Sequence, residues 1–166
     1  GLQFFGGLKD TLGHRTYKRA VWPRVVDTVC AVVGTATKVQ KKNDGTGVLY
    51  FAVEAMTGKP RAWVLDWDIQ QMQADVLTAW LPNVIRRVEE LARLCRARGG
   101  SGGIIIEDKD SGQALLQHAA KMRWPARAIP SDLTAMGKDG RAVSGPGYVS
   151  EGRTKFTREA WEKTVG

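Results

Sequence analysis

Three consecutive isoleucines at residues 104–106 constrain the fold of this 166-residue chain more than any other feature. A half-buried strand alternates apolar and polar side chains, whereas a run that is apolar at every position is typical of a strand buried on both faces. Strands of that kind lie in the centre of α/β sheets. Residues 104–106 are therefore expected to form a central strand of such a sheet.

Three further segments predict strands before residue 70. Residues 24–33 form an apolar β-branched run, and residues 48–55 place an apolar side chain at every second position on one face. A tight turn containing Gly58 and Pro60 then leads into a third run at residues 61–68. Short connections of this kind predict an antiparallel meander of three strands.

The hydrophobic period then changes to that of a helix. Apolar residues recur every three or four positions from Leu77 to Cys95, and Pro82 either starts this helix or kinks a longer one. A second helix is expected at residues 111–123 and a short fifth strand at residues 125–130. The resulting order, β-β-β-α-β-α-β, predicts an α/β protein with a ribonuclease H-like mixed sheet and helices packed on it.

The composition fits one globular domain, since 43% of the residues are hydrophobic and 25% are charged. Residues 1–22 are expected to form a linker or a short helix, and residues 23–166 the folded domain. The domain is expected to end in a short helix at residues 158–164. No apolar run approaches the roughly 18 residues of a membrane span, and the first residues do not resemble a signal peptide, so neither a membrane partner nor secretion is expected.

The chain carries a net charge of +8, and a basic excess is typical of proteins that bind nucleic acid. Four basic residues lie among the glycines of the C-terminal tail and are candidate DNA contacts: Lys138, Arg141, Arg153 and Lys155. Lysine and arginine contacts to phosphate supply most sequence-independent affinity for DNA, although a solvated loop has the same composition.

Two acids stand out against this basic background. Asp27 interrupts the first apolar run, and Glu107 follows the isoleucines directly. A carboxylate buried in hydrocarbon costs several kcal/mol unless a cation compensates it, and Asp27 facing water is the simpler alternative. If the two strands are neighbours, we expect both carboxylates to converge at one end of the sheet. Mg²⁺ would relieve their repulsion, because hard cations take oxygen ligands.

The remaining acids have simpler explanations. Asp44 precedes Gly45 and fits a turn, and Asp110 has the spacing of a helix cap. Asp66 and Asp68 end a predicted strand, where solvated acids are common. Asp108 would point away from Glu107 in an extended strand. Acids in a site and bases around it are nevertheless what two-metal phosphodiester hydrolysis requires.

Several of these segments resemble the C-terminal nuclease domain of phage large terminase subunits. The most specific one is "IEDKDSGQALLQ", and the first-strand aspartate, the following loop with a second aspartate and "GKDGRAV…SEGR" add to it. The resemblance covers residues 23–157. It implies a ribonuclease H-like endonuclease that cuts concatemeric double-stranded DNA during genome packaging, with two Mg²⁺ or Mn²⁺ ions.

Carried over by position, the resemblance makes Asp27 and Glu107 the catalytic metal ligands and Asp44 a further ligand. The family usually has a third catalytic aspartate in an acidic pair, which is not found before Gly166; Glu159 and Glu162 are poor substitutes. The domain is therefore expected to be truncated at its C-terminus and to be weakly active alone.

The resemblance also implies partners: double-stranded DNA, an N-terminal ATPase domain of the same polypeptide, the portal and the small terminase subunit. The implied location is the cytoplasm of the infected bacterial host. The ATPase domain would lie outside this sequence, which has no GxxxxGK[ST] motif. Two alternatives stay open: another ribonuclease H-like nuclease of the resolvase or integrase type, and a non-catalytic DNA-binding module of the same fold.

Overall fold

The computed structural model describes residues 3–5, 8–9, 15–16, 23, 25–35, 45–55, 58, 60–71, 74–108, 111–129, 154–157 and 160. The strands are β1 (Gln3–Phe5), β2 (Leu8–Lys9), β3 (Arg15–Thr16), β4 (Thr28–Gly34), β5 (Thr46–Glu54), β6 (Arg61–Gln70), β7 (Ser101–Ile106), β8 (Ala126–Ala128) and β9 (Thr154–Thr157). The helices are α1 (Ala74–Leu94) and α2 (Ser111–Met122). Seven strands form one sheet in the order β1-β9-β6-β5-β4-β7-β8, and β2 pairs with β3.

The centre of this sheet confirms the predicted architecture. β4, β5 and β6 form the antiparallel meander, and β7 and β8 then add in parallel beside β4. The isoleucine strand β7 lies between β4 and β8, with Ile104 and Ile106 fully buried and Ile105 half-buried. The protein therefore has the ribonuclease H-like mixed sheet that its element order predicts.

The helices pack on one face of the sheet. α1 contacts β4 and β7 through the predicted stripe, which is buried at Leu77, Leu81, Val84, Val88, Leu91 and Cys95. Burying each such leucine or valine contributes roughly 1.5–3 kcal/mol, so this stripe is a major part of the core. Pro82 lies inside α1 and does not start it. Of the two positions that the sequence allowed for Pro82, the one within a longer helix is therefore correct. Among the described residues, no helix is long and apolar enough to cross a membrane.

The ends of the chain differ from the sequence prediction. Three short strands lie within residues 1–22, where a linker or a short helix was expected, and β1 pairs with β9 in the basic tail. Strands of two to four residues are too short to show a hydrophobic period, so sequence patterns do not reveal them. The helix predicted at residues 158–164 lies outside the described residues, apart from Ala160.

The parallel pairing of β4 with β7 gives the sheet two chemically different ends. Val29 pairs with Ser101 where both strands begin, and Val33 pairs with Ile106 where both strands end. We call the first end the amino edge and the second the carboxyl edge. A residue just before β4 and a residue just after β7 therefore lie at opposite edges.

Candidate functional site at the carboxyl edge

Glu107 is the acid that the fold places most firmly at the carboxyl edge. Its backbone N–H donates to the Val33 carbonyl at 3.2 Å, which extends the pairing of β7 with β4 by one residue. On its other side, Gly112 of α2 lies so close to the Glu107 carbonyl oxygen that a Cβ atom on Gly112 would overlap it. The half-buried Glu107 is thus held between β4 and the start of α2.

Asp27 lies at the other edge, so the expectation that Asp27 and Glu107 converge is wrong. β4 begins at Thr28, and Asp27 precedes the strand rather than interrupting it. Val33 pairs with Ile106, so Glu107 is level with Gly34, seven residue steps after Asp27. At about 3.3 Å per residue, the two acidic residues lie about 23 Å apart along the sheet. One metal site cannot include both side chains.

The surroundings of Asp27 give its carboxylate a structural role. Its Oδ2 accepts the backbone N–H of Ala55 at 2.6 Å. Its Oδ1 is buried and accepts no hydrogen bond among the described residues, and Nη1 of Arg98 lies 3.9 Å from it. Its own backbone N–H donates to Val53, and its carbonyl accepts from Gly99. Asp27 therefore ties the start of β4 to the end of β5 and to the loop that leads into β7.

Replacing Asp27 with alanine should lower stability without changing the carboxyl edge. Loss of a hydrogen bond to a charged acceptor costs about 1.5–3 kcal/mol, and we expect a loss in this range in urea unfolding. Asp27→Asn keeps an acceptor for Ala55 and should cost less. The folded variants should bind Tb³⁺ with the same affinity as the parent in luminescence titrations. Weaker Tb³⁺ binding by Asp27→Ala would show that Asp27 contributes to the metal site.

The acids of β6 also have structural roles. Asp66 is buried and pairs with Arg87 of α1 at 3.1 Å. Burial is the main cause, and the charge of Asp66 the second, of a pKa of about 12 for the neighbouring Tyr50. Asp68 accepts the N–H of Ile69 at 2.9 Å and lies three strands from β7, which at about 4.8 Å per strand is about 14 Å from the Glu107 position.

The other predicted site residues lie mostly outside the described part of the chain. This holds for Asp44, Lys138, Arg141 and Arg153. Lys155 lies in β9, where its backbone pairs with Gln3 and Trp63. Their assignment as metal ligands or DNA contacts stays a prediction.

The residue opposite Glu107 on β4 was not singled out from the sequence. Gly34 follows Val33 as Glu107 follows Ile106, so the two positions are neighbours in register, on the face of the sheet away from α1. In the described structure nothing lies within 4 Å of the point that a Gly34 Cβ would take. The signal was available, because the carboxyl ends of parallel strands meet at one edge.

This arrangement limits how much metal the described residues can hold. No group of three or more histidine, cysteine, aspartate or glutamate side chains in the described segments is placed to bind a metal ion. At the carboxyl edge the described carboxylates beside β4 are the half-buried Glu107 and the exposed Asp108, while β4 itself ends at Gly34 and is followed by Thr35. These residues fit one weakly held divalent ion and do not by themselves fit a pair.

Known proteins resemble this chain in fold rather than in sequence. No protein-family description matches the sequence, and no curated protein matches it. The fold is similar to that of the human cytomegalovirus terminase nuclease domain, with a TM-score of 0.53 and 14% identity over 81% of this chain and 64% of that one. A manganese-soaked, inhibitor-bound structure of that domain gives a TM-score of 0.52 and 13% identity over 80% and 65% of the two chains. This chain thus spans about 65% of the domain it matches and has the same ribonuclease H-like α/β fold.

Proposed function

We propose that this chain is a divalent-metal-dependent nuclease domain of the terminase type, which hydrolyses phosphodiester bonds in double-stranded DNA. The observation that carries the proposal is the position of Glu107, a half-buried acid fixed at the carboxyl edge beside the central strand β4. The fold likeness to a viral terminase nuclease domain supports the same assignment.

The finer parts of the proposal rest on the sequence. The segment "IEDKDSGQALLQ" resembles phage large terminase subunits, so we propose cleavage of concatemeric DNA during phage genome packaging. The partners would be an ATPase domain of the same polypeptide, the portal and the small terminase subunit, in the cytoplasm of the infected bacterium. The basic residues of the tail, Lys138, Arg141, Arg153 and Lys155, would contact the DNA backbone.

Glu107 would be the main protein ligand of Mg²⁺ or Mn²⁺, with Asp108 and Asp44 as further oxygen donors. When bound, such ions supply an activated water and stabilise the leaving oxygen of the phosphodiester. A manganese-soaked structure of the similar viral domain is in keeping with this choice of ion. Because Asp27 lies at the other edge, it has no part in the proposed chemistry.

Replacing Glu107 with glutamine tests the proposal directly. The parent should nick supercoiled plasmid slowly in Mn²⁺, and Glu107→Gln should be at least about tenfold slower, because a neutral amide is a poor ligand for a hard cation. Rates are compared at protein concentrations normalised to the folded fraction. Asp27→Asn is the matched control and should nick like the parent; equal rates for Glu107→Gln and the parent would refute the nuclease site.

A non-catalytic DNA-binding module is the second candidate function, and the specific observation in its favour is Gly34. Gly34 has no side chain, so β4 supplies no ligand beside Glu107, where a second carboxylate would strengthen a nuclease metal site. If this second candidate is correct, the parent should bind duplex DNA but show no Mn²⁺-dependent nicking above the Glu107→Gln background.

A further inference from the structure

Both helices end in the same local structure. In α1, Arg96 N–H donates to the Arg93 carbonyl and Ala97 N–H to the Ala92 carbonyl. In α2, Arg123 N–H donates to Ala120 and Trp124 N–H to Ala119. These paired bonds define a Schellman motif, in which the residue after the helix takes a left-handed conformation.

The residue in that left-handed position is arginine both times. Arg96 has φ of 49° and Arg123 has φ of 55°. Glycine is the usual residue at this position because it has no Cβ to clash, so an arginine there costs free energy in each helix. The side chains therefore need a reason beyond helix termination, and strained backbone positions of this kind often occur at functional sites.

Both arginines lie at the amino edge of the sheet, because α1 leads into β7 and α2 leads into β8. Arg93 and Arg98 are exposed at the same edge, and Arg127, whose backbone pairs with Ile105, reaches back toward this edge with its side chain. We call the whole set the arginine edge: Arg93, Arg96, Arg98, Arg123 and Arg127. Arg127 donates to the Gly102 carbonyl at 2.6 Å, which fixes its guanidinium at the start of β7. Arg98 lies 3.9 Å from Asp27.

Three members of the arginine edge are available to a ligand. Within the described segments, neither a carboxylate nor any other group pairs with the side chains of Arg93, Arg96 or Arg123. Arg93 and Arg96 line an open pocket of about 340 Å³ together with Gly100 and Ser101, at the junction of α1 and β7. Glu89 adds a single carboxylate at its rim, so cationic groups outnumber anionic ones.

We propose that the arginine edge binds the phosphate backbone of DNA without regard to sequence, as a contact surface separate from the carboxyl edge. Guanidinium groups bind phosphate through paired hydrogen bonds, and a duplex presents about one negative charge per 1.7 Å of its axis. A group of exposed arginines around the starts of β7 and β8 matches such a dense array of charge. The choice of DNA rests on the proposed function, but binding here does not depend on cleavage.

The double variant Arg96→Gly/Arg123→Gly removes two arginine side chains while keeping the backbone fold. Glycine suits both left-handed positions, so the variant should unfold at the same urea concentration as the parent or a higher one. Binding of a short labelled duplex is followed by fluorescence anisotropy in EDTA, from about 50 to about 200 mM NaCl. We expect about tenfold weaker binding and a salt slope reduced by about 2, since each lost phosphate contact removes about 0.9 from the slope.

The control variant is Arg86→Glu, which changes the net charge by the same amount at an exposed position of α1 outside the arginine edge. It should bind more tightly than the double variant. Equal affinity and slope for the double variant and the parent would overturn the proposal. The proposal would also be overturned if the double variant bound the duplex like the parent but no longer bound polyglutamate. That result would assign the arginine edge to an acidic protein segment. If the parent fails to nick DNA but the double variant loses duplex binding, the nuclease proposal fails and this one stands.

Discussion

Replacing Gly34 with aspartate is expected to raise the affinity of the carboxyl edge for Mn²⁺ by at least about tenfold, or about 1.4 kcal/mol. The substitution places a second carboxylate beside Glu107, in register on the neighbouring strand β4. The backbone tolerates it, because open space surrounds the position that a Gly34 Cβ would take. Hard divalent cations gain affinity as the number of carboxylate ligands rises.

The measurement is a Tb³⁺ luminescence titration with Mn²⁺ as competitor, which reports metal binding independently of cleavage. Gly34→Asn is the matched control, since it has nearly the same shape without the charge and should bind like the parent. Adding Glu107→Gln to Gly34→Asp should remove most of the gain, because the two carboxylates are expected to act together. Unchanged affinity in Gly34→Asp would show that the metal does not bind between β4 and β7. Plasmid nicking should rise along with affinity.

Replacing Gly112 with alanine is expected to destabilise the protein by about 1–3 kcal/mol, the range for overpacking a tight site. The added methyl group would overlap the Glu107 carbonyl oxygen, and both partners are backbone that cannot rotate away. In an open helix the same change would stabilise by up to about 1 kcal/mol, so the contact reverses the sign of the effect. Urea unfolding measures the free energy directly.

Gly34→Ala is the control for that experiment, because it makes the same chemical change at an open position and should be close to neutral. Gly112→Ala should also weaken Tb³⁺ binding, since the start of α2 must move and Glu107 moves with it. A Gly112→Ala variant as stable as the parent would mean that α2 does not rest on the end of β7.

The sequence predicted the central sheet well because its elements carry strong periodic signals. The apolar stripe of α1 depends on one face of one element, and the isoleucines of β7 depend on two. The alternation of β5 predicted the strand but not its buried face. The expected face holds Leu49, Phe51, Val53 and Ala55, whereas the buried side chains are Val48, Tyr50 and Ala52 on the opposite face. Such signals are local, so they can be recognised in one segment of the sequence without knowing which surface that segment packs against. The short strands β1 and β9 have no such signal, since backbone pairing alone defines them.

The candidate site was harder, because it depends on which ends of two strands meet as well as on where a strand begins. Residues 24–33 read as one apolar run, which would place Asp27 inside the strand. In the fold, Val25 takes a left-handed conformation with φ of 61°, and its N–H donates to the carbonyl of Cys95 at the end of α1. That tertiary contact delays the strand to Thr28. No local pattern predicts a β-branched residue in this conformation. The separation of Asp27 from Glu107 has another cause, the parallel register of β4 with β7, because Asp27 precedes Val33 by six residues wherever the strand begins.

The shortness of β8 has a consequence for how copies of this protein behave together. In the described sheet β8 is the terminal strand beside β7, it spans three residues, and Arg127 at its centre is turned to the Gly102 carbonyl. A terminal strand that is brief and charged gives another chain few backbone groups to pair with. This margin of the sheet is therefore protected against polymerisation through strand addition at β8.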